Sequence, residues 1–290
     1  MGLIEQAAKR LKELRRAGTE VTENLEPGGL HAIHPRAASE AAPSGHSRAA
    51  GLDLDLAKLA AEGFVTPDMP RSRIADEFRV IKRPLIANAT GKGSTQIRHG
   101  NLIMVTSAVP GEGKTFFAVN LAMSIAMEQD RTVLLVDADV ARPSLPRTFA
   151  IADSPGLLDV LNDRSVDLGQ VLHRTNVEKL TFVSSGSQHA RATEMLASDA
   201  MADVLNELAA RYSDRIVVFD SPPLLVTPDA RVLASRVGQI VFIVDAERTL
   251  QGDVKRALAA IEACPLKLMV LNRARTTAQG AYGYGYDYGH

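Results

Sequence analysis

Cysteine is nearly absent from this 290-residue chain, Cys264 being the single example. That excludes an intrachain disulfide and any multi-cysteine metal cage, and it fits a reducing compartment. Net charge is nearly absent too. A formal balance of −1 gives no global attraction toward nucleic acid or anionic lipid. No apolar run reaches the roughly 18 residues that a membrane-spanning helix needs. The longest such stretch, around 240-IVFIV-244, has the length of a buried strand. Nor does the N-terminus read as a secretory signal, because charges interrupt its apolar residues. A cytoplasmic location is the expectation. Histidine offers no metal site either, since His31, His34 and His46 are scattered through a polar stretch. Tyrosine is scarce in the body of the chain. Four of the five, Tyr282, Tyr284, Tyr286 and Tyr288, lie in the last nine residues, within AYGYGYDYGH.

A tail with glycine between its tyrosines cannot build a core, so packing does not explain it. Its bland reading is a low-complexity segment. Its sharper one is a row of phosphoryl acceptors, because a phosphate-binding loop, 107-SAVPGEGKT-115, lies upstream. The hydrophobic content of 46% is enough for a real core. Residues 1–17 read as a basic amphipathic helix that docks on a partner, lies on a membrane surface or packs on its own domain. The Gly-, Pro-, Ser-rich segment 18–51 reads as a linker that buries too little to offset its ordering entropy.

From residue 52 to about 275 the pattern is that of one α/β domain. Apolar runs at 102–105, 133–136, 180–183, 216–219, 240–244 and 267–271 alternate with helical stretches. Those lie near 54–62, 72–83, 115–128, 156–162, 193–211, 228–236 and 250–263. Continuous apolar strands predict a doubly wound, mostly parallel sheet covered on both faces. Residues 276–290 remain as the Tyr-rich tail.

The loop follows a strand and precedes a helix, the context a Walker A motif requires. Pro110, Gly111, Glu112, Gly113, Lys114, Thr115 and Phe116 form the predicted phosphate cradle, with Lys114 on the β/γ-phosphates and Thr115 on Mg²⁺. Its first motif position is Ala108 instead of glycine. Two strands end in acids, Asp137 and Asp139 in one case and Asp220 in the other. In an open parallel sheet these meet ligand at the C-terminal strand edge. Asp139 and Asp220 are expected around Mg²⁺, and Asp137 as the base for an attacking hydroxyl. Each of the three could instead be a simple N-cap. Adenine is favoured over guanine because Arg275 stands where guanine readers place an Asp. Asn272 either touches the adenine edge or merely ends its strand.

Together these residues resemble the P-loop tyrosine kinases of bacteria. That family carries Walker A, an extra A′ motif ending D-x-D, a Walker B ending D-x-P-P, and a C-terminal tyrosine cluster. Here 107-SAVPGEGKT-115, 134-LLVDAD-139, 217-VVFDSPP-223 and Tyr282 to Tyr288 match in that order. The resemblance implies a ParA/MinD-like P-loop fold with an N-terminal helical extension, and Mg-ATP-dependent autophosphorylation of the tail in service of exopolysaccharide export. It also implies a separate transmembrane co-polymerase as activator, recruitment to the inner membrane through it, a protein-tyrosine phosphatase, and a ring of subunits. Asp76, Arg79 and Lys82 are the nearest match to the family's subunit-contact helix. The A′ arginine position is Ala141, with Arg142 next. Two rivals stand beside this reading: a ParA/MinD-type regulatory ATPase, whose second loop lysine is Val109 here, and a non-catalytic nucleotide-binding scaffold.

Overall fold

All six apolar runs become strands of one sheet. The computed structural model describes residues 51–93, 96–211 and 214–274. The expected N-terminal helix, nearly all of the linker and the Tyr-rich tail lie outside these described residues.

The strands are β1 (Leu102–Ser107), β2 (Thr132–Asp137), β3 (His173–Arg174), β4 (Leu180–Val183), β5 (Arg215–Asp220), β6 (Gln239–Asp245) and β7 (Leu266–Asn272). Their order in the sheet is β3-β4-β2-β5-β1-β6-β7. Every pairing is parallel except β3 with β4. The two-residue β3 carries too short a pattern to be read from sequence.

Parity along each strand divides the core in two. Met104, Leu134, Val136, Val217, Phe219, Ile240 and Phe242 point to one face. There they meet α5 (Leu157–Asn162), α6 (Ala192–Ala197), α7 (Asp199–Ala210), α8 (Pro228–Ala234) and α9 (Gln251–Ala260). Ile103, Val105, Val133, Leu135, Val218 and Val241 point the other way, toward α1 (Leu56–Ala61), α2 (Arg73–Ala89) and α3 (Lys114–Ala126). A short α4 (Leu145–Thr148) follows β2. With both faces covered, no position of the inner strands needs to be polar, which is why those runs were continuous; at the edge, β7 leaves Met269 and Leu271 exposed. Each such side chain stabilises the fold by about 1.5–3 kcal/mol relative to exposure.

Two helical expectations change in detail. The stretch 193–211 is two helices, because Ser198 is extended (φ −75°, ψ 167°). Its hydroxyl donates to Met195 O at 2.6 Å and accepts from Met201 N at 3.3 Å, closing one helix and opening the next. α2 runs past Pro84 to Ala89, held by Leu85, which is 1% exposed. No helix among the described residues is long and apolar enough to cross a membrane.

Parallel strands deliver their C-terminal ends to one edge. In register, Asp137 faces Asp220 across β2 and β5, and Val105 of β1 faces Asp220 from the other side. The sheet alone therefore brings the phosphate loop and two acids together.

Candidate functional site

The phosphate loop is closed from within. Ser107 Oγ donates to Val109 O at 2.9 Å, and Val109 N donates to Glu112 Oε2 at 2.8 Å. Thr249 Oγ1 donates to the other oxygen of that carboxylate. The Glu112 side chain is thus buried inside the protein, and only its main chain is left for a phosphate. Gly111 and Gly113 adopt φ of +85° and +95°, a region that favours glycine. A Cβ on Gly113 would also stand 2.3 Å from Asn272 Nδ2. Ala108 is fully buried without a positive φ, so glycine is not required there.

From the loop, α3 carries Lys114 (8% exposed) and Thr115 into the site. Thr115 Oγ1 donates to Asp220 Oδ2 at 2.6 Å and lies 2.6 Å from Ser144 Oγ. Asp220 Oδ1 is buried and has no hydrogen-bond partner among the described residues. Burial pushes the Asp220 carboxyl up to about 7, against the Thr115 hydrogen bond and the charge of Lys114. Burial likewise raises Asp139, opposed by the Arg142 amide and by Lys114. Asp137 is raised well above the carboxylate range, by burial first and then by Asp220.

These groups fit a magnesium nucleotide. An orphaned carboxylate oxygen beside a hydroxyl is a hard donor set. Among the described residues no cluster of three His, Cys, Asp or Glu forms a complete metal cage. Mg²⁺ does not need one, since it takes one or two protein oxygens and the rest from phosphates and water.

Not every expected residue meets the site. Asp137 is 0% exposed, and its two oxygens accept from Asp139 N at 3.2 Å and Leu145 N at 3.3 Å. Its carboxylate holds the loop after β2, with one amide on each oxygen. Phe116 packs against Phe64 with ring centroids 4.9 Å apart and planes tilted by 43°. Asn272 braces the loop, donating to Glu112 O at 2.8 Å while its own oxygen accepts from Arg273 N at 2.9 Å. Lys82 does not join Asp76 and Arg79 on an outward face. Its ammonium is 2.7 Å from Glu128 Oε1 and donates to Ser124 O at 2.5 Å, while Asp76 and Arg79 pair with each other in solvent. The four tail tyrosines lie outside the described residues.

Three supports were missed in the sequence. Arg273 Nη1 donates to Gly111 O at 3.0 Å and to Asp245 Oδ2 at 2.5 Å, tying β6 and β7 to the loop. Asp245 ends its strand as Asp137 and Asp220 end theirs, so the same pattern could have flagged it. Ser144, which meets Thr115, carries no such signal.

Comparison with known proteins places this site in a family. A model for ParA, described as a NUBPL iron-transfer P-loop NTPase, matches residues 98–269. The tyrosine-protein kinase YwqD of Bacillus subtilis is 30% identical over 217 residues, which cover 74% of this chain and 87% of YwqD. The chain belongs to the P-loop tyrosine-kinase family of bacteria. EpsB of Ralstonia nicotianae, provisionally named a tyrosine-protein kinase, is 35% identical over 191 residues, 65% of this chain but 25% of EpsB. ExoP of Rhizobium meliloti, a succinoglycan biosynthesis transport protein, is 31% identical over 222 residues, 75% of this chain and 27% of ExoP. The chain thus spans about a quarter of the length of these two longer relatives. Among solved structures, the chimerical protein CapA2B2 superposes with a TM-score of 0.62 at 26% identity, covering 79% of this chain and 96% of that one.

Proposed function

We propose that this chain is an ATP-dependent protein-tyrosine autokinase whose acceptors are Tyr282, Tyr284, Tyr286 and Tyr288. The observation that carries the reading is the convergence of Lys114, Thr115, Asp139 and the half-unpaired Asp220 at one strand edge, in a chain that also carries four phenols on a glycine-rich tail.

Mg-ATP is the donor substrate in this reading. Thr115 Oγ1, Asp220 Oδ1 and Asp139 would hold the metal, which supplies charge neutralisation to the phosphates. Amides of the loop between Pro110 and Thr115 bind phosphate oxygens. Lys114 stabilises the charge that accumulates as the γ-phosphoryl moves in line to a phenol. Burial at this edge excludes water and strengthens each of these contacts.

Four phosphates would add about −6 to −8 charges to the tail. That drives it from an acid-lined site and loosens a ring in which Asp76 and Arg79 contact a neighbour. Cycling by a phosphatase, under a transmembrane activator, then regulates exopolysaccharide export. ExoP's name supports that setting.

The test is intact mass and anti-phosphotyrosine detection after incubation with Mg-ATP, with and without the cytoplasmic segment of a cognate activator. Wild type should gain phosphate in steps, while Lys114→Met and a tail of four phenylalanines should gain none. ATP-dependent dimerisation without phosphotyrosine would instead favour a regulatory ATPase, a reading that the match to the ParA model keeps open. Nucleotide binding alone would leave a scaffold.

A further inference from the structure

The sheet ends at β7 in an open edge. Among the described residues β7 pairs with β6 alone, so one side of its backbone is left for another strand. Edges of this kind are normally guarded by proline, by charge or by a covering element. β7 reads LKLMVLN and has one charge, Lys267. That ammonium turns back to donate to Cys264 O at 2.6 Å and Glu262 O at 3.3 Å, so it does not guard the strand. The two faces of β7 differ. Leu268 and Val270 pack against the core. Met269 and Leu271 take the opposite face and are 52% and 60% exposed.

We propose that the tyrosine tail of the same chain adds to β7 as an antiparallel strand and lays its rings over Met269 and Leu271. Three observations single out this occupant. β7 stops at Asn272, and residues 273–281 are long enough to turn the chain back beside a strand about 4.8 Å away. Tyr282, Tyr284, Tyr286 and Tyr288 recur at every second residue, the period of a strand, so all four share one face. Gly283 and Gly285 fall on the other face, beside Leu268 and Val270, which the core already covers in part. A slip of one residue would carry every ring away from the exposed pair, so Met269 and Leu271 set the register. Aromatic rings opposite apolar side chains are the pairs that stabilise such a ladder. The short tether holds the tail at an effective concentration of order millimolar, an advantage that a second copy or a separate partner lacks. Running antiparallel, the tail leaves the nucleotide edge and draws the phenols toward the start of β7. In the autokinase reading, on which this last step rests, docking is the resting state. Each phosphate of about −1.5 to −2 charges then expels its ring from the apolar face.

The test begins without nucleotide, on the full chain. Hydrogen exchange of the β7 amides is compared in wild type, in Met269→Lys with Leu271→Lys, and in a tail with all four tyrosines changed to serine. Wild type should exchange about tenfold more slowly than either variant. A tail of four phenylalanines should keep the protection, because the rings and not the hydroxyls cover the patch. The chain has no tryptophan and one further tyrosine, Tyr212, so tyrosine fluorescence anisotropy follows the tail directly. It should fall in the double lysine variant, whose exposed positions leave Tm unchanged. The serine tail leaves the folded body untouched, so loss of protection there is not misfolding. Equal exchange in all three proteins overturns the assignment. Protection that grows with protein concentration gives the edge to a second copy, and protection that needs an added activator segment gives it to that partner; either result also overturns it. Mg-ATP is then added. β7 that stays protected on a fully phosphorylated chain overturns the release. Protection without any phosphotyrosine spares the docking and sinks the kinase. Phosphotyrosine on a chain whose β7 was unprotected beforehand does the reverse.

Discussion

Replacing Glu128 by glutamine strips one charge from a pair whose other member is sealed in. The Lys82 side chain is 5% exposed and that of Glu128 23%, with Nζ 2.7 Å from Oε1. After Glu128→Gln the ammonium keeps neutral acceptors, Ser124 O and the amide oxygen in place of the carboxylate, and loses its close countercharge. Breaking a buried pair from one side costs about 3–5 kcal/mol, and the partial exposure of Glu128 puts this case near 3 kcal/mol. Lys82→Met works differently. It removes the buried charge together with its desolvation, methionine fills most of the volume, and Glu128 keeps Arg83 at 3.6 Å. What remains is an unpaired Ser124 carbonyl, which costs about 1–2 kcal/mol. In a domain of this size the shifts in Tm are about 6–12 °C and 2–8 °C respectively. Urea titration at neutral pH measures both.

The pH dependence has a definite sign. Burial opposes ionisation of Glu128, yet the hydrogen bond and charge of Lys82, with Arg83, hold its carboxyl below the ordinary 4.5. Its contribution is therefore present above pH 4.5 and lost as pH falls through the depressed folded value. Burial lowers Lys82 from 10.5 against Glu128, so the unfolded chain binds more protons just below that pH and stability rises with pH there. Glu128→Gln should flatten the acid limb. If Lys82→Met proves as costly as Glu128→Gln, or Glu128→Gln costs under about 0.5 kcal/mol, the reasoning from buried charge is wrong.

Other outcomes follow from single contacts. Lys114→Met should fold normally and lower phosphotyrosine formation by at least about 100-fold, read by intact mass over time. Gly113→Ala sets a Cβ 2.3 Å from Asn272 Nδ2 at φ +95°, so Mg-ADP affinity should collapse and stability fall by about 1–3 kcal/mol. Adding Asn272→Ala should recover the steric part and leave about 1–2 kcal/mol of backbone strain. Gly156→Ala, whose Cβ would meet Ser184 O at 2.1 Å, should lower Tm without changing nucleotide affinity.

The sequence by itself determined the layers and the edge that carries the site. Continuous apolar runs predicted a sheet covered on both faces, which holds for all of them but the edge strand β7, and a strand–loop–helix with Gly111, Gly113, Lys114 and Thr115 is a phosphate cradle by local geometry alone. Acids directly after apolar strands must arrive at the same edge once those strands are parallel, which is why Asp139 and Asp220 were legible. What those acids do there depended on neighbours far along the chain. Asp137 also braces the segment that follows its strand, because the amides of Asp139 and Leu145 reach its two oxygens. Lys82 left the expected outward face because Glu128 and Ser124 approach it only after folding, and Asn272, which ends its strand, also braces Glu112. Periodicity reports which face a residue takes, whereas a side chain's partner is set by contacts between segments up to 162 residues apart. Only the tertiary structure decides those contacts.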